Sequence, residues 1–190
     1  SIAGLLLFLF LPAGGISGLT LPPVFAAASG FTVTDSLGRT VAFDQAPQRI
    51  VIAGRASSIL ADTVYLFPGI SNRVVALSRT DQGLGSFLSL LDPHYSDKMH
   101  MGVEVSLETV ASARPDVILL KSYLAEKLGK PLESLGLKVL YFDMETMEQF
   151  PRDLRTLGQL FQNDKRAEYI IDFFRRRTDR ITRATAGIAK

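Results

Sequence analysis

The chain has 190 residues, a formal net charge of +2 and no cysteine. So small a charge gives no electrostatic reason to expect nucleic acid or an anionic membrane surface as a partner. The lack of cysteine excludes disulfide bonds, a thiol nucleophile and cysteine-ligated zinc or iron–sulfur sites.

The first 28 residues carry no charge. An apolar run at residues 2–11 is followed by a stretch broken by glycine and proline, and then by Ala26-Ala27-Ala28. This pattern is typical of a secretory signal peptide, so we expect export, cleavage after Ala28 and no stable membrane insertion afterwards. An uncleaved anchor is the alternative, because residues 2–21 are about long enough to span a bilayer, but the glycines and prolines make that helix poor.

The rest of the chain has the length of one ordinary domain. Residues 31–35 and 39–43 alternate apolar and polar side chains around Ser36-Leu37-Gly38, which predicts a hairpin. Further strands are predicted at residues 50–53, 73–77, 117–120 and 138–142, and each is a continuous apolar run except for the first residue of the second and fourth, Arg73 and Lys138. Such runs are typical of strands buried on both faces, and helical patterns separate them, so they predict a Rossmann-like α/β lobe with a four-stranded parallel sheet.

Serines precede two of the predicted helices. Ser57 and Ser58 are expected to cap the helix after the first strand, and Ser106 is expected to cap the helix that begins at Leu107. Residues 78–101 read as a loop, a short helix and a second loop. From residue 147 onward the pattern is helical and ends in a long helix over residues 165–186, about 33 Å in length. The run Arg175-Arg176-Arg177 is interpreted as a solvated face of that helix.

Charged and aromatic residues follow the predicted strands. Because the carboxyl ends of parallel strands meet at one edge, where small ligands bind in open α/β sheets, these residues are the candidate site. The candidates at the first three strand ends are Gly54, Arg55, Arg79, Thr80, Asp81, Lys121 and Tyr123. Three of them are cations, which predicts a binding place for an anion such as a carboxylate.

Five short motifs occur in order along the chain: Asp35-Ser-Leu-Gly-Arg39, Pro47-Gln-Arg49-Ile-Val51, Val74-Val-Ala-Leu-Ser78, Ser106-Leu-Glu108 and Arg114-Pro-Asp116. Together they resemble the amino-terminal lobe of an ABC-transporter solute-binding protein, of the type that captures ferric siderophores, haem or cobalamin. The resemblance extends from about residue 31 to residue 181. It implies two α/β lobes joined by one long helix, with the ligand held between them and delivered to an inner-membrane permease.

The resemblance also implies an organisation and a location. We expect a signal peptide at residues 1–28, an α/β ligand-binding lobe at 29–146 and a helical segment at 147–190 that includes the interlobe helix. The second lobe is expected to be absent, and the mature protein is expected in the periplasm. Its ligand would be a ferric siderophore, ferric citrate or haem, with no intrinsic cofactor and no resident metal.

Individual residues take expected roles from the same resemblance. Val103 and Glu104 would face the ligand cleft, and Tyr123 would stack on a flat ligand or bind haem iron. Residues 101–105 contain no aromatic side chain, which disfavours cobalamin. The acidic residues expected to dock the permease are Asp92, Asp97 and Glu104.

Three other interpretations stay open. The chain is either a binder or a truncated fragment that acts only as a permease-docking module. A small nucleotide-binding Rossmann-type enzyme is disfavoured, because residues 54–58 lack the dinucleotide glycine pattern and no nucleophile elbow occurs, so we expect no enzymatic activity. His94 and His100, with Glu104 and Asp143, form the alternative of a direct metal site, although neither histidine follows a predicted strand.

Overall fold

The computed structural model describes residues 30–79 and 85–187. The expected signal peptide and the expected ligand residues Thr80 and Asp81 lie outside the described residues. Within the described ranges, no helix is both long and apolar enough to cross a bilayer.

The predicted hairpin is confirmed. Strands β1 (Phe31–Thr34) and β2 (Thr40–Phe43) pair antiparallel around a turn in which Gly38 has φ of 76°. The Asp35 carboxylate accepts hydrogen bonds from the backbone N–H groups of Leu37 and Arg39 at 3.0 and 3.1 Å. The same carboxylate pairs with the Arg39 guanidinium, which also donates to the Val139 carbonyl at 2.8 Å. The motif that begins at Asp35 therefore fastens the hairpin to the edge of the main sheet.

The main sheet is parallel and has five strands in the order β5-β4-β3-β6-β7. Four of them match the predicted apolar runs: β3 (Ile50–Ile52), β4 (Val74–Ser78), β6 (Val117–Lys121) and β7 (Val139–Phe142). The fifth strand, β5 (Met99–Met101), lies where the sequence pattern predicted a loop, and it pairs with β4. The predicted strand number was wrong because β5 is three residues long with only Met101 buried, so no apolar run marks it.

Six α-helices occur within the described residues: α1 (Ser58–Val64), α2 (Leu88–Leu91), α3 (Leu107–Ser112), α4 (Lys130–Ser134), α5 (Gln149–Leu160) and α6 (Asp164–Thr185). Alternate strand residues face two cores. One core packs the sheet against α1, α5, α6 and the hairpin, and the other packs it against α3 and α4.

The two predicted caps differ in outcome. Ser106 caps α3 as expected, because its hydroxyl accepts a hydrogen bond from the Thr109 N–H at 3.2 Å. Ser57 occupies the position before α1, but its side chain makes no capping bond and its hydroxyl is buried without a partner. The backbone of Ser57 is already helical, with φ of −78° and ψ of −4°, whereas a capping residue is normally extended.

Helix α6 confirms the predicted long helix that ends the described chain. The Asn163 side chain caps it by accepting a hydrogen bond from the Arg166 N–H at 3.2 Å. Its buried residues, Ala167, Ile170 and Ile171, all belong to the first two turns. Arg175, Arg176 and Arg177 are exposed on the part of α6 that extends past the core.

Candidate functional site

Gly54 closes the first turn at the carboxyl edge of the sheet. It adopts φ of 86°, and its N–H donates to the Ser78 hydroxyl at 2.9 Å, which ties the ends of β3 and β4 together. A Cβ at this position would collide with the Leu124 side chain. Gly54 is buried, so it shapes the site through the backbone and presents no surface to a ligand.

Arg55 and Glu104 meet at this edge from two different loops. The Arg55 Nη2 and Nε atoms lie 2.5 and 2.8 Å from Glu104 Oε1. The Lys127 Nζ lies 3.5 Å from Glu104 Oε2, so the carboxylate is held between two cations. The hydrogen bond from Arg55, together with the charge of Lys127, lowers the pKa of the Glu104 carboxyl.

Tyr123 joins this group. Its hydroxyl donates to the Arg55 backbone carbonyl at 2.8 Å, and the residue is 57% exposed. Partial desolvation raises the pKa of the Tyr123 phenol. An exposed aromatic ring therefore lies beside the Arg55–Glu104–Lys127 cluster.

Lys127 was missed by the sequence-based prediction, which considered only the residues directly after each strand. It lies on a π-helical turn, Ala125–Gly129, that follows β6. No local signal marked Lys127, because Tyr123 lies on the preceding 3₁₀ turn, Ser122–Leu124, and the rule that residues four apart share a face holds for α-helices.

Lys121 has a different environment from Arg55. It is 1% exposed, and its Nζ contacts both the Asp143 backbone carbonyl and the Glu145 carboxylate. The structure therefore does not bring Lys121 to the surface as a free cation, and the predicted row of three available cations is wrong at this position. The reason is that β6 is buried along its whole length, so its last side chain stays beneath the loop that follows β7.

The loop after β7 is itself held by carboxylates. The buried Asp153 accepts hydrogen bonds from the backbone N–H groups of Asp143 and Met144 at 2.7 and 2.9 Å. Arg152 bridges Asp153 and Asp143 at 2.8 and 2.6 Å. Burial raises the pKa of Asp143, but hydrogen bonds from Ser122 and Arg152 outweigh it, and the net shift is downward. This network fixes the wall of the site next to Lys121.

The remaining predicted ligand residues lie on the same edge. Arg79 is exposed directly after β4, and its N–H donates to the Met101 carbonyl at 2.9 Å. Val103 is 44% exposed and precedes Glu104 in the loop between β5 and α3.

The three expected docking residues differ in accessibility. The Asp92 side chain is fully buried and accepts hydrogen bonds from the Tyr65 hydroxyl and the His94 N–H, both at 2.9 Å. The Lys98 Nζ lies 3.1 Å from the same carboxylate. Asp92 is therefore a structural residue that a partner cannot reach in the folded protein, whereas the Asp97 and Glu104 side chains are 72% and 61% exposed.

The two histidines of the alternative metal site, His94 and His100, each contact a neighbouring residue of their own segment. His94 Nδ1 is 3.3 Å from the Asp97 carboxylate, and His100 Nε2 is 2.9 Å from the Tyr95 carbonyl. In the part of the chain that the structure describes, no three histidine, aspartate or glutamate side chains are grouped closely enough to hold a metal ion.

A second concave surface lies between α1, α5 and α6. It is a groove of about 940 Å³ whose walls include five exposed apolar side chains, Ile59, Phe87, Leu91, Met147 and Phe174. Of the predicted ligand residues that the structure describes, none lines this groove. The groove is therefore separate from the Arg55–Glu104–Lys127 cluster.

Comparison with known proteins gives a family and a fold. The family model described as periplasmic binding protein matches residues 92–190, just over half of the chain. A periplasmic solute-binding protein from Veillonella parvula is 21% identical with a TM-score of 0.71, and the match covers 85% of this chain and 50% of that one. A periplasmic haem-binding protein from Pseudomonas aeruginosa is 25% identical with a TM-score of 0.56, covering 70% of this chain and 45% of that one.

A third solved structure, an ABC-type Fe³⁺-hydroxamate transport system from Saccharomonospora viridis, is 20% identical with a TM-score of 0.61, covering 82% of this chain and 57% of that one. The chain thus spans about half the length of the solved structures that it matches, and it has the fold of one of their lobes. With the family match over its carboxyl-terminal half, the chain belongs to the periplasmic binding protein family.

Proposed function

We propose that this chain is a substrate-binding component of an ABC importer that captures an iron chelate outside the cytoplasm and delivers it to an inner-membrane permease. The observation that carries the proposal is that Arg55, from the loop after β3, and Lys127, from the π-helical turn after β6, converge on the Glu104 carboxylate at the carboxyl edge of the sheet. Two exposed cations beside the Tyr123 ring suit a flat or chelated ligand that bears carboxylates.

The proposed ligand is a ferric siderophore, ferric citrate or haem. Three of the similar solved structures carry names that refer to haem, Fe³⁺-hydroxamate or a ferric siderophore, which supports this class. We propose no enzymatic role, because the residues gathered at this edge bind and orient charge without forming a nucleophile–base pair. Export by a signal peptide cleaved after Ala28 and a periplasmic location are parts of the same proposal.

The alternative is a permease-docking module that does not itself hold a ligand tightly. The observation that favours it is the exposure of the cluster. The side chains of Arg55, Glu104 and Lys127 are 63%, 61% and 78% exposed. This lobe therefore supplies only one wall of a ligand site. Asp97 and Glu104 are the accessible acidic residues for docking, and Asp92 is left out of the proposal because it is buried.

Titration of the mature protein, residues 29–190, tests the proposal. Ferric citrate, a neutral ferric hydroxamate and haem are added in turn while visible absorbance and tyrosine fluorescence are followed; the chain contains no tryptophan. We expect saturable binding of at least one of the carboxylate-bearing ligands. The double variant R55Q/K127Q is expected to bind that ligand about tenfold more weakly or worse, the scale of one lost charge-assisted hydrogen bond.

The matched control is R176Q, which removes an exposed charge from α6, a helix that contributes none of the Arg55–Glu104–Lys127 contacts. It should leave binding unchanged. A folded protein that binds none of the three ligands would contradict the capture role, and retention on membranes that contain the permease would then favour the docking module.

A further inference from the structure

Glu104 occupies the place where a ligand carboxylate would bind. One of its oxygens accepts from two nitrogens of Arg55, and the other faces Lys127. A guanidinium and an ammonium around the two oxygens of a carboxylate form the arrangement that recognises carboxylates in general. The protein thus fills its own anion position with an acidic side chain.

The ion pairs of Glu104 with Arg55 and Lys127 can break at little cost in free energy. All three side chains are more than half exposed, and exposed ion pairs contribute little net stability because water screens them. Glu104 lies on the loop between β5 and α3, so its side chain can turn toward solvent while both cations stay in place. Lys127 and Arg55 would then present their N–H groups to an incoming carboxylate.

The neighbouring ion pair of Lys121 and Glu145 differs from the Arg55–Glu104 pair in the accessibility of its cation. The Lys121 side chain is 1% exposed and also contacts the Asp143 carbonyl. An external ligand cannot reach this cation without rebuilding the loop after β7. Between Lys121 and Arg55, Arg55 is therefore the cation whose carboxylate partner can be exchanged.

We propose that Glu104 is a displaceable internal anion, which competes with carboxylate-bearing ligands for Arg55 and Lys127 and so sets their affinity. The inference rests on the proposed capture function and deepens it, because it assigns the ligand to carboxylate-bearing chelates. A neutral hydroxamate chelate gains nothing from the two cations, and its binding should not depend on the charge of Glu104.

Replacing the competing charge tests the inference. E104Q keeps the shape of the side chain and removes its charge, so we expect the affinity for ferric citrate and for haem to rise about tenfold, the scale of one charge-assisted hydrogen bond. The affinity for a neutral ferric hydroxamate should stay within about twofold. E108Q is the matched control, because Glu108 is exposed in the first turn of α3 and contacts neither Arg55 nor Lys127, yet its loss changes the net charge equally.

Each outcome separates this inference from the proposed function. If the wild type binds a carboxylate ligand and E104Q binds it equally or more weakly, the competitor role is overturned and the capture function stands. An equal gain in affinity in E108Q would overturn the competitor role in the same way. If only E104Q binds, competition between Glu104 and the ligand carboxylate is supported, but the wild type has failed the capture test and the capture proposal is overturned. If neither protein binds any of the three ligands, both proposals fail.

Discussion

Gly54 carries two separate constraints at one residue. Its φ of 86° lies in the left-handed region that side-chain-bearing residues avoid, and a Cβ would also strike the Leu124 side chain. Gly38 shares the first constraint, with φ of 76°, but has open space around the position of a Cβ. The two glycines therefore distinguish backbone strain from steric collision.

The first prediction uses this pair. We expect G38A to lower the free energy of unfolding by about 1–2 kcal/mol, which is the cost of placing alanine in the left-handed region. We expect G54A to cost clearly more, because Leu124 must also move. Urea unfolding of both variants measures the difference, and equal losses would show that the Leu124 side chain yields freely.

At the scale of elements, the Asp92 carboxylate and the Lys98 ammonium together attach the segment between α2 and β5 to the rest of the lobe. Asp92 joins Tyr65 to Lys98, and the Lys98 Nζ also donates to the carbonyls of Ser71 and Val74 at 2.8 and 2.9 Å. Burial raises the pKa of Asp92, but hydrogen bonds from Tyr65 and Lys98 outweigh it and the net shift is downward. A carboxylate with a lowered pKa in the folded state stabilises the protein above its unfolded pKa, near 3.9, and loses that contribution as the pH falls through the folded value.

The second prediction follows from the downward shift of the Asp92 pKa. D92N leaves a buried lysine without its counter-charge, so we expect it to lower the free energy of unfolding by about 3 kcal/mol at pH 7. The difference in the free energy of unfolding between D92N and the wild type should become smaller as the pH falls below about 4. D97N is the control, because Asp97 is exposed and close in sequence, and it should change stability little. A gap that does not depend on pH would contradict the role given to the ionised carboxylate.

Some strands and helices could be predicted from the sequence pattern alone, and one strand could not. Strands β3, β4, β6 and β7 are buried on both faces, and this burial leaves a continuous apolar run that can be read directly. Helix α6 is readable because Ala167, Ile170 and Ile171 recur at helical spacing. Strand β5 has no such pattern, since it exists only through pairing with β4 at the sheet edge.

At the scale of the whole molecule, apolar surface remains uncovered beside the lobe's own core. Met147 is 61% exposed and Phe174 is 41% exposed, and both line the groove between α1, α5 and α6. Surfaces of this kind bind apolar probes because burial of the probe releases water from both partners.

The third prediction concerns this groove. We expect the folded protein to bind the dye anilinonaphthalene sulfonate, and we expect M147S/F174S to lose most of the fluorescence increase. L135S is the control, because Leu135 is 57% exposed but does not line the groove. A cooperative unfolding transition in each variant verifies that the dye reports the native groove, since loosely folded states also bind it. Unchanged fluorescence in the double variant would show that the groove is not the binding surface.

The sequence by itself determined the parallel α/β lobe, the hairpin ahead of it, the long helix and the edge at which Arg55 and Tyr123 lie. These features depend on local periodicity and on strand direction, and both are written in short stretches of the chain. Tertiary structure alone decided which charges are available: Lys121 is buried under Glu145, Asp92 is enclosed by Tyr65 and Lys98, and Lys127 completes the cluster around Glu104. Whether a charged side chain is exposed or paired depends on contacts between residues that are distant in sequence, and no local pattern encodes those contacts.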